Sequence, residues 1–196
     1  MKNATDLRVV KSRANICNSF IELLREKPLS EITIQEICDR ALCSRNTFYA
    51  HFPYKEAVLE SMRNECVDLI TRSCTADGKA ALIYPDDIWS CVFNTISSTS
   101  NIKDRLLFLM QFDRSNTLTL LADRLYEHCL VFIDDHPTLD TYPVSYEFYS
   151  RYLSAGIVGF IVSWLDHPEV SEADACLMLH KIHSEPFKVA AAELES

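Results

Sequence analysis

Residues Thr33 to Lys55 read T-I-Q-E-I-C-D-R-A-L-C-S-R-N-T-F-Y-A-H-F-P-Y-K. Thr33 followed three residues later by Glu36 is the signature of a capping box, in which each side chain bonds the other residue's backbone N–H at a helix start. Ile34, Ile37 and Ala41 then fall on one side of a helix. Ala41-Leu42-Cys43 breaks the pattern, and Ser44 offers a second N-cap. The helix that Ser44 opens is short. It shows Arg45, Asn46, Thr47, Tyr49 and His51, while Phe48 and Phe52 fall four apart on the other side. Such a helix buries two rings and displays cationic, amide, hydroxyl and aromatic groups. That is the mixture needed to reach base edges and phosphates in a major groove.

Upstream, a helix is predicted from about Leu7 to Glu26. Val10, Ala14, Cys17, Ile21 and Leu24 form its stripe, widened by Val9, Ile16, Phe20 and Leu23. Lys2, Arg8, Lys11 and Arg13 crowd its first turns, as a solvated basic face or as phosphate contacts that carry no sequence information. Lys27-Pro28-Leu29-Ser30-Glu31 breaks the chain before the next helix, since proline cannot continue one. Downstream, a long helix is expected from Tyr54 or Lys55 to about Ser73, with Val58, Met62, Val67, Leu69 and Ile70 on its apolar side.

These residues resemble the N-terminal DNA-binding domain of the tetracycline-repressor (TetR) family. The likeness runs from Ala14 to Leu59: Thr opens one helix and Ala ends it, Ser opens the next, then T-F-Y-x-H-F and K-E-x-x-L follow. The resemblance implies an all-α fold with a three-helix helix-turn-helix head over residues 1–54. A helical effector-binding and dimerisation body, residues 55–196, would bring the total to about nine helices. It also implies a homodimer, a pseudo-palindromic double-stranded DNA operator and a small-molecule effector, with repression as the expected outcome. Arg45, Asn46 and Thr47 are the expected base readers; Thr33, Ser44, Tyr49, His51 and Lys55 are expected on phosphates. One position departs from the family pattern. Leu42 stands where a turn glycine is usual, and a side chain there raises the cost of a left-handed backbone. The turn is therefore expected to differ in detail.

Charge agrees with that placement. The net charge of −9 divides unevenly: residues 1–55 hold nine Lys/Arg and six Asp/Glu, net +3, and the rest hold ten and twenty-two, net −12. An acidic body would repel a phosphate backbone, so the head is the DNA-facing part. There is no run of about 18 apolar residues to span a membrane. The opening M-K-N-A-T-D-L-R-V-V-K-S-R lacks a signal-peptide core, so a cytoplasmic location without a membrane partner is expected.

Eight cysteines, at 17, 38, 43, 66, 74, 91, 129 and 176, form no CxxC pair and no zinc spacing. They read as reduced small hydrophobes. The alternative is a thiol sensor built on Cys38 with Cys43 or Cys66 with Cys74. Cys43 precedes the positive start of a helix, where a thiolate is favoured. No nucleotide loop, nucleophile motif or metal signature is present, so neither an enzyme nor a cofactor is expected. His128 beside Cys129 does not share a helical face, and His180 with His183 fits a surface or dimer-rim position better than a metal site.

The body reads as helices over Asp86–Ser98, Ile102–Phe112, Asn116–Ile133 and Pro143 to about Asp166. A last helix is capped by Ser171 with Asp174 and divided by Pro186. Thr75 to Lys79 reads as a loop. Trp89, Phe93, Phe108, Phe112, Tyr126, Tyr149 and Tyr152 read largely as core. The resemblance implies an effector cavity that some of them would line. The stretch from Tyr149 to Asp166 is apolar nearly all round, which predicts burial on more than one side. Its Gly156 and Gly159 ask for a packing reason, because glycine weakens a helix. The resemblance places the last two helices in a dimer interface, with Gly156, Gly159, Phe160, Trp164, Leu177 and His180 as candidates. The pattern Y-x-x-x-G-x-x-G-x-x-x-x-W-L-D is also similar to the branch that includes dihydroxyacetone-kinase operon regulators. That opens an alternative, a co-regulator working mainly through a partner protein.

Overall fold

The computed structural model describes residues 4–72, 85–98, 102–134 and 145–182. The helices are α1 (Ala4–Glu26), α2 (Ile34–Ala41), α3 (Arg45–His51), α4 (Glu56–Arg72), α5 (Pro85–Ser98), α6 (Ile102–Phe112), α7 (Arg114–Asp134) and α8 (Tyr146–Leu165). A ninth, α9, covers 172–182, and one 3-10 turn, Leu29–Glu31, separates α1 from α2. Among the described residues there is no strand, as the sequence predicted. The expected loop at Thr75–Lys79, Cys74, Pro143, His183 and Pro186 lie outside the described residues.

The chain divides into two compact units, Met1–Glu65 and Cys66–Ser196. The division falls inside α4, later than the boundary expected at 54/55. The first half of α4 is tied to α1, since Arg13 donates to Ser61 Oγ and pairs with Glu65. The core of the first unit comes from Ile16, Phe20 and Leu23 of α1, Ile37 and Ala41 of α2, Phe48 of α3 and Val58 and Met62 of α4. The residues expected only to widen the α1 stripe are thus its centre. Val9 and Val10, nearer the N-terminus, are exposed.

The turn between α2 and α3 is set by backbone bonding. Cys43 N–H donates to Cys38 O at 3.0 Å and Leu42 N–H to Asp39 O at 3.4 Å. This pair of bonds is a Schellman motif, which requires a left-handed residue just past the helix. Leu42 supplies it with φ 51° and ψ 45°, and no other described non-glycine residue has positive φ. The turn therefore keeps the geometry that glycine would adopt, and the expected departure in shape does not occur. Leucine bears the strain instead, with its side chain 93% exposed. Cys38 and Cys43 stand at the two positions that usually make the apolar contact closing such a motif, which accounts for both as packing residues. Leu42→Gly should remove a left-handed penalty of about 1–2 kcal/mol while returning part of it as unfolded-chain entropy. The expected net gain is about 0.5–1 kcal/mol, read as a raised urea midpoint. A lowered midpoint would refute this account of the turn.

In the second unit, Val92, Phe93 and Ile96 of α5, Leu106 and Leu109 of α6, Leu121 and Leu125 of α7, and Leu153, Ile157 and Ile161 of α8 are buried. Arg151 joins α8 to α7: its guanidinium donates to Asp123 at 2.8 Å and lies 3.6 Å over the Tyr126 ring. Ser171 caps α9 as expected, accepting from Asp174 N–H at 3.1 Å. One expectation fails. α8 is not buried all round, because only the side carrying Leu153, Ile157, Ile161 and Leu165 is covered. Phe148 and Tyr152 are 72% and 69% exposed, and Ala155, Gly156 and Gly159 lie in the open with them. A Cβ added at either glycine would meet nothing within 4 Å. Periodicity marks a side as apolar; it does not say whether the same chain covers it.

Candidate nucleic-acid interface

The interface begins with two capped helix starts. Thr33 Oγ1 accepts from Glu36 N–H at 3.3 Å, and Glu36 accepts from Thr33 N–H at 2.9 Å, completing the capping box. The Lys27 ammonium on its carboxylate, reinforced by Thr33, holds the Glu36 carboxyl well below its usual range, at about 2. Glu36 therefore stays charged at the positive end of α2 across the whole physiological range, where a carboxylate is favoured. Arg40 grips Glu26 with both terminal nitrogens, at 2.6 and 3.0 Å, locking α2 to the end of α1. Ser44 Oγ accepts from Thr47 N–H at 3.1 Å and starts α3.

α3 is held by its rings. Phe48 is fully buried, edge-on to Tyr49 at 5.6 Å and tilted against Phe52 at 5.9 Å. Arg13 of α1 lies over Phe52 at 5.3 Å. With Phe48 turned inward, Arg45, Asn46 and Tyr49 are left exposed, together with the cap residues Thr33 and Ser44, and Thr47 is half-buried. Six of the eight residues expected to touch DNA therefore lie on or next to the outward side of α2 and α3.

The other two have different surroundings. His51 Nε2 is 2.7 Å from Ser12 Oγ of α1, a bond that pins the end of α3 to α1. Burial, with the nearby Arg13 charge, pushes its pKa below the usual imidazole range, which favours the neutral ring. Lys55 points its ammonium back into the head. It donates to Leu29 O at 2.7 Å and Ile32 O at 2.8 Å, with Ser30 O at 3.5 Å. Its side chain is only 20% exposed. Both residues thus serve the packing of the head, and a phosphate role for either would compete with these bonds. The sequence concealed this because the partners lie 39 and 23–26 residues away along the chain.

Two residues absent from the expected set stand beside Arg45. Its Nε donates to Gln35 Oε1 at 2.7 Å, and Gln35 Nε2 donates to Asp39 Oδ1 at 2.7 Å. The spacing of Gln35 and Asp39, one turn apart on α2, was visible in the sequence; the link to Arg45 across the turn was not.

Burial, and then Cys43 beside it, pushes the Cys38 thiol up to about 11, and burial does the same for Cys66. Both are protonated at neutral pH, which suits small buried hydrophobes. No cluster of three metal-binding side chains occurs among the described residues, and no helix among them is long and apolar enough to cross a membrane.

The expected effector and dimer residues are dispersed. Phe93 is buried edge-on to Trp164 at 5.0 Å and to Phe160 at 5.7 Å. Trp164 Nε1 donates to Val170 O at 3.0 Å, and the ring is 7% exposed. It therefore belongs to the interior of its own chain and not to an outward dimer face, because its one polar group is satisfied internally. Phe108 and Phe112 pack together at 4.7 Å. Tyr126 lies under Arg151 and Tyr149 is half-buried, whereas Tyr152 faces outward on α8 and cannot line an internal cavity of one chain. Leu177 is exposed on α9 and His180 is half-buried. The Trp89 side chain lies outside the described residues.

Comparison with known proteins agrees with this geometry. Residues 21–62 match the family described as bacterial regulatory proteins, tetR family. An uncharacterised HTH-type transcriptional regulator of Bacillus subtilis (strain 168), YxbF, is 36% identical over 67 residues. That match covers 33% of this chain and spans 18% of the relative's length. The fold is similar to that of NalD of Pseudomonas aeruginosa, described as the secondary repressor of the MexAB-OprM multidrug efflux pump. NalD has a TM-score of 0.64 and 20% identity over 87% of this chain and 92% of its own. A TetR transcriptional regulator from Streptococcus agalactiae 2603V has a TM-score of 0.60 and 20% identity over the same shares. All of these are described as regulators and none as an enzyme. Residues 21–62 thus match the tetR family, and the all-helical fold is similar to that of NalD and of the Streptococcus agalactiae regulator.

Proposed function

We propose that this protein is a transcriptional repressor that binds a pseudo-palindromic operator as a homodimer and is released or retained by a small molecule bound in its body. The observation that carries the reading is α3. Burial of Phe48 leaves Arg45, Asn46 and Tyr49 facing outward from the one part of the chain with net positive charge. Two such heads would enter successive major grooves, about 34 Å apart. Arg45, Asn46 and Thr47 read base edges, while Thr33, Ser44 and Tyr49 position on phosphates and sugars. His51 and Lys55 act from within the head.

Dimerisation is supported by the open side of α8. Phe148, Tyr152, Gly156 and Gly159, with Leu177, Met178 and Ile182 of α9, are apolar or small and exposed. A second copy would cover them, and the glycines would let its helix approach closely. An effector is supported by two buried hydroxyls, Thr117 Oγ1 and Ser150 Oγ, that have no hydrogen-bond partner among the described residues. Buried polar groups are rarely left so. A ligand that engages them in one state only would shift the spacing of the heads, and with it the affinity for DNA.

The test is selection of bound duplexes from genomic DNA by the full-length protein, with sedimentation of the complex to count chains per duplex. Two chains on an inverted repeat are expected. Arg45→Ala should keep its thermal unfolding midpoint and bind the selected operator about tenfold or more weakly, as loss of one good base contact implies. An Arg45→Ala protein that binds as well as the parent would remove α3 as the reader.

The same exposed apolar surface favours a second reading. The C-terminal likeness to dihydroxyacetone-kinase operon regulators would make the protein a co-regulator whose open face takes a partner protein. Recovery of one stoichiometric protein and no DNA fragment from cell extract would select this reading over the first.

A further inference from the structure

We infer that Gln35 is a positioning residue for Arg45, holding its guanidinium in the orientation that reads a guanine, with Asp39 holding Gln35 in turn. This rests on the reading of α3 as the base-reading helix. Asp39 Oδ1 accepts from Gln35 Nε2 at 2.7 Å, and Gln35 Oε1 accepts from Arg45 Nε at 2.7 Å. The direction of this relay is fixed by chemistry. A carboxylate can only accept and a guanidinium can only donate. The amide between them must therefore turn its NH2 to Asp39 and its carbonyl to Arg45. The relay crosses the α2–α3 turn, so the base-reading side chain is oriented by the preceding helix and not by its own.

Two consequences follow for recognition. With Nε engaged, the two terminal nitrogens form the fork that remains for O6 and N7 of a guanine. A long side chain that is already ordered loses less rotamer freedom on binding. The neutral amide also has an advantage over a direct ion pair. A carboxylate against Arg45 would neutralise the charge that DNA requires; a glutamine steers the guanidinium and leaves its charge in place. Stability does not explain the arrangement, because all three side chains are on exposed residues and surface polar pairs contribute little.

The test uses the full-length protein and a pool of randomised duplexes, sequenced after selection by the parent, Gln35→Ala, Arg45→Ala and the double variant. Arg45→Ala is expected to flatten a guanine preference at one symmetric pair of positions. Gln35→Ala should lower the preference at those same positions by about three- to tenfold, the range set by one ordinary hydrogen bond. It should leave other positions intact, keep the unfolding midpoint, and add nothing in the Arg45→Ala background. Gln35→Glu should weaken binding further at the same positions. The inference is overturned if Gln35→Ala has no effect, acts at positions that Arg45→Ala leaves alone, or costs as much with Arg45 absent as with it present. A pool that yields no preferred duplex for the parent would instead overturn the DNA-binding reading on which this depends.

Discussion

Phe48→Ala is expected to lower the stability of the head by about 3–5 kcal/mol, the usual cost of emptying a large aromatic site in a core. Phe48 is fully buried and meets Tyr49 and Phe52, so the cavity is walled by rings that cannot all collapse into it. Its position makes the loss decisive. α3 has seven residues, too few to be helical without tertiary support. Once the ring is gone, nothing comparable in α3 fastens the outward side chains to the rest of the head. Both tryptophans of the chain, Trp89 and Trp164, fall beyond Glu65, in the second unit. Urea titration followed by circular dichroism should therefore show an early loss of helix that tryptophan emission does not share. Operator binding should disappear with it. A shift of less than about 1 kcal/mol would mean that the site repacks and that Phe48 does not anchor α3.

Lys55→Met is expected to cost the head about 2–3 kcal/mol, the range for removing a charged donor from half-buried acceptors. Methionine keeps most of the aliphatic stem, so the loss isolates the ammonium. Leu29 O and Ile32 O, bonded at 2.7 and 2.8 Å, would lose this donor, and the 3-10 turn that spaces α1 from α2 would loosen. The same variant separates two roles. If Lys55 works on the carbonyls, its denaturation midpoint falls while the salt slope of operator binding by the folded protein stays unchanged. If it contacts a phosphate instead, the midpoint holds and the slope falls by about one ion. A stable Lys55→Met protein with a shallower slope would return the residue to the DNA surface.

The relay through Gln35 bears on the same question of how little the head leaves free. Arg45 is the residue most suited to reading a base, yet its guanidinium is already engaged through Nε. That is compatible with recognition because an arginine fork has five donors and the relay uses one. Lys55 has a single ammonium, and it faces carbonyls on the 3-10 turn and just beyond it. Two cations in one head thus serve opposite ends, one displayed and one drawn inward, for a reason of donor number and reach.

Local chemistry was legible from the residues alone. The capping box of Thr33 and Glu36, the Ser44 cap and the limits of α6 at Ile102 and Phe112 need only neighbours three or four positions away. The all-helical class and the outward set of α3 follow from the same short-range periodicity. Leu42 was harder. Its side chain argued against a left-handed turn, but the Schellman bonds of the adjoining backbone and the packing of Cys38 with Cys43 overrode that preference. What only the tertiary structure decided concerns long or two-sided residues. Lys55 and His51 can reach several partners, and the choice depends on segments more than twenty residues distant. Trp164 and Gly156 share one apolar helix, yet Trp164 is buried by Phe93 while Gly156 is left bare. A sequence states which faces avoid water, because that is a property of each side chain. Which of those faces the chain can cover by itself depends on how the helices pack, and here α8 is covered on one side only.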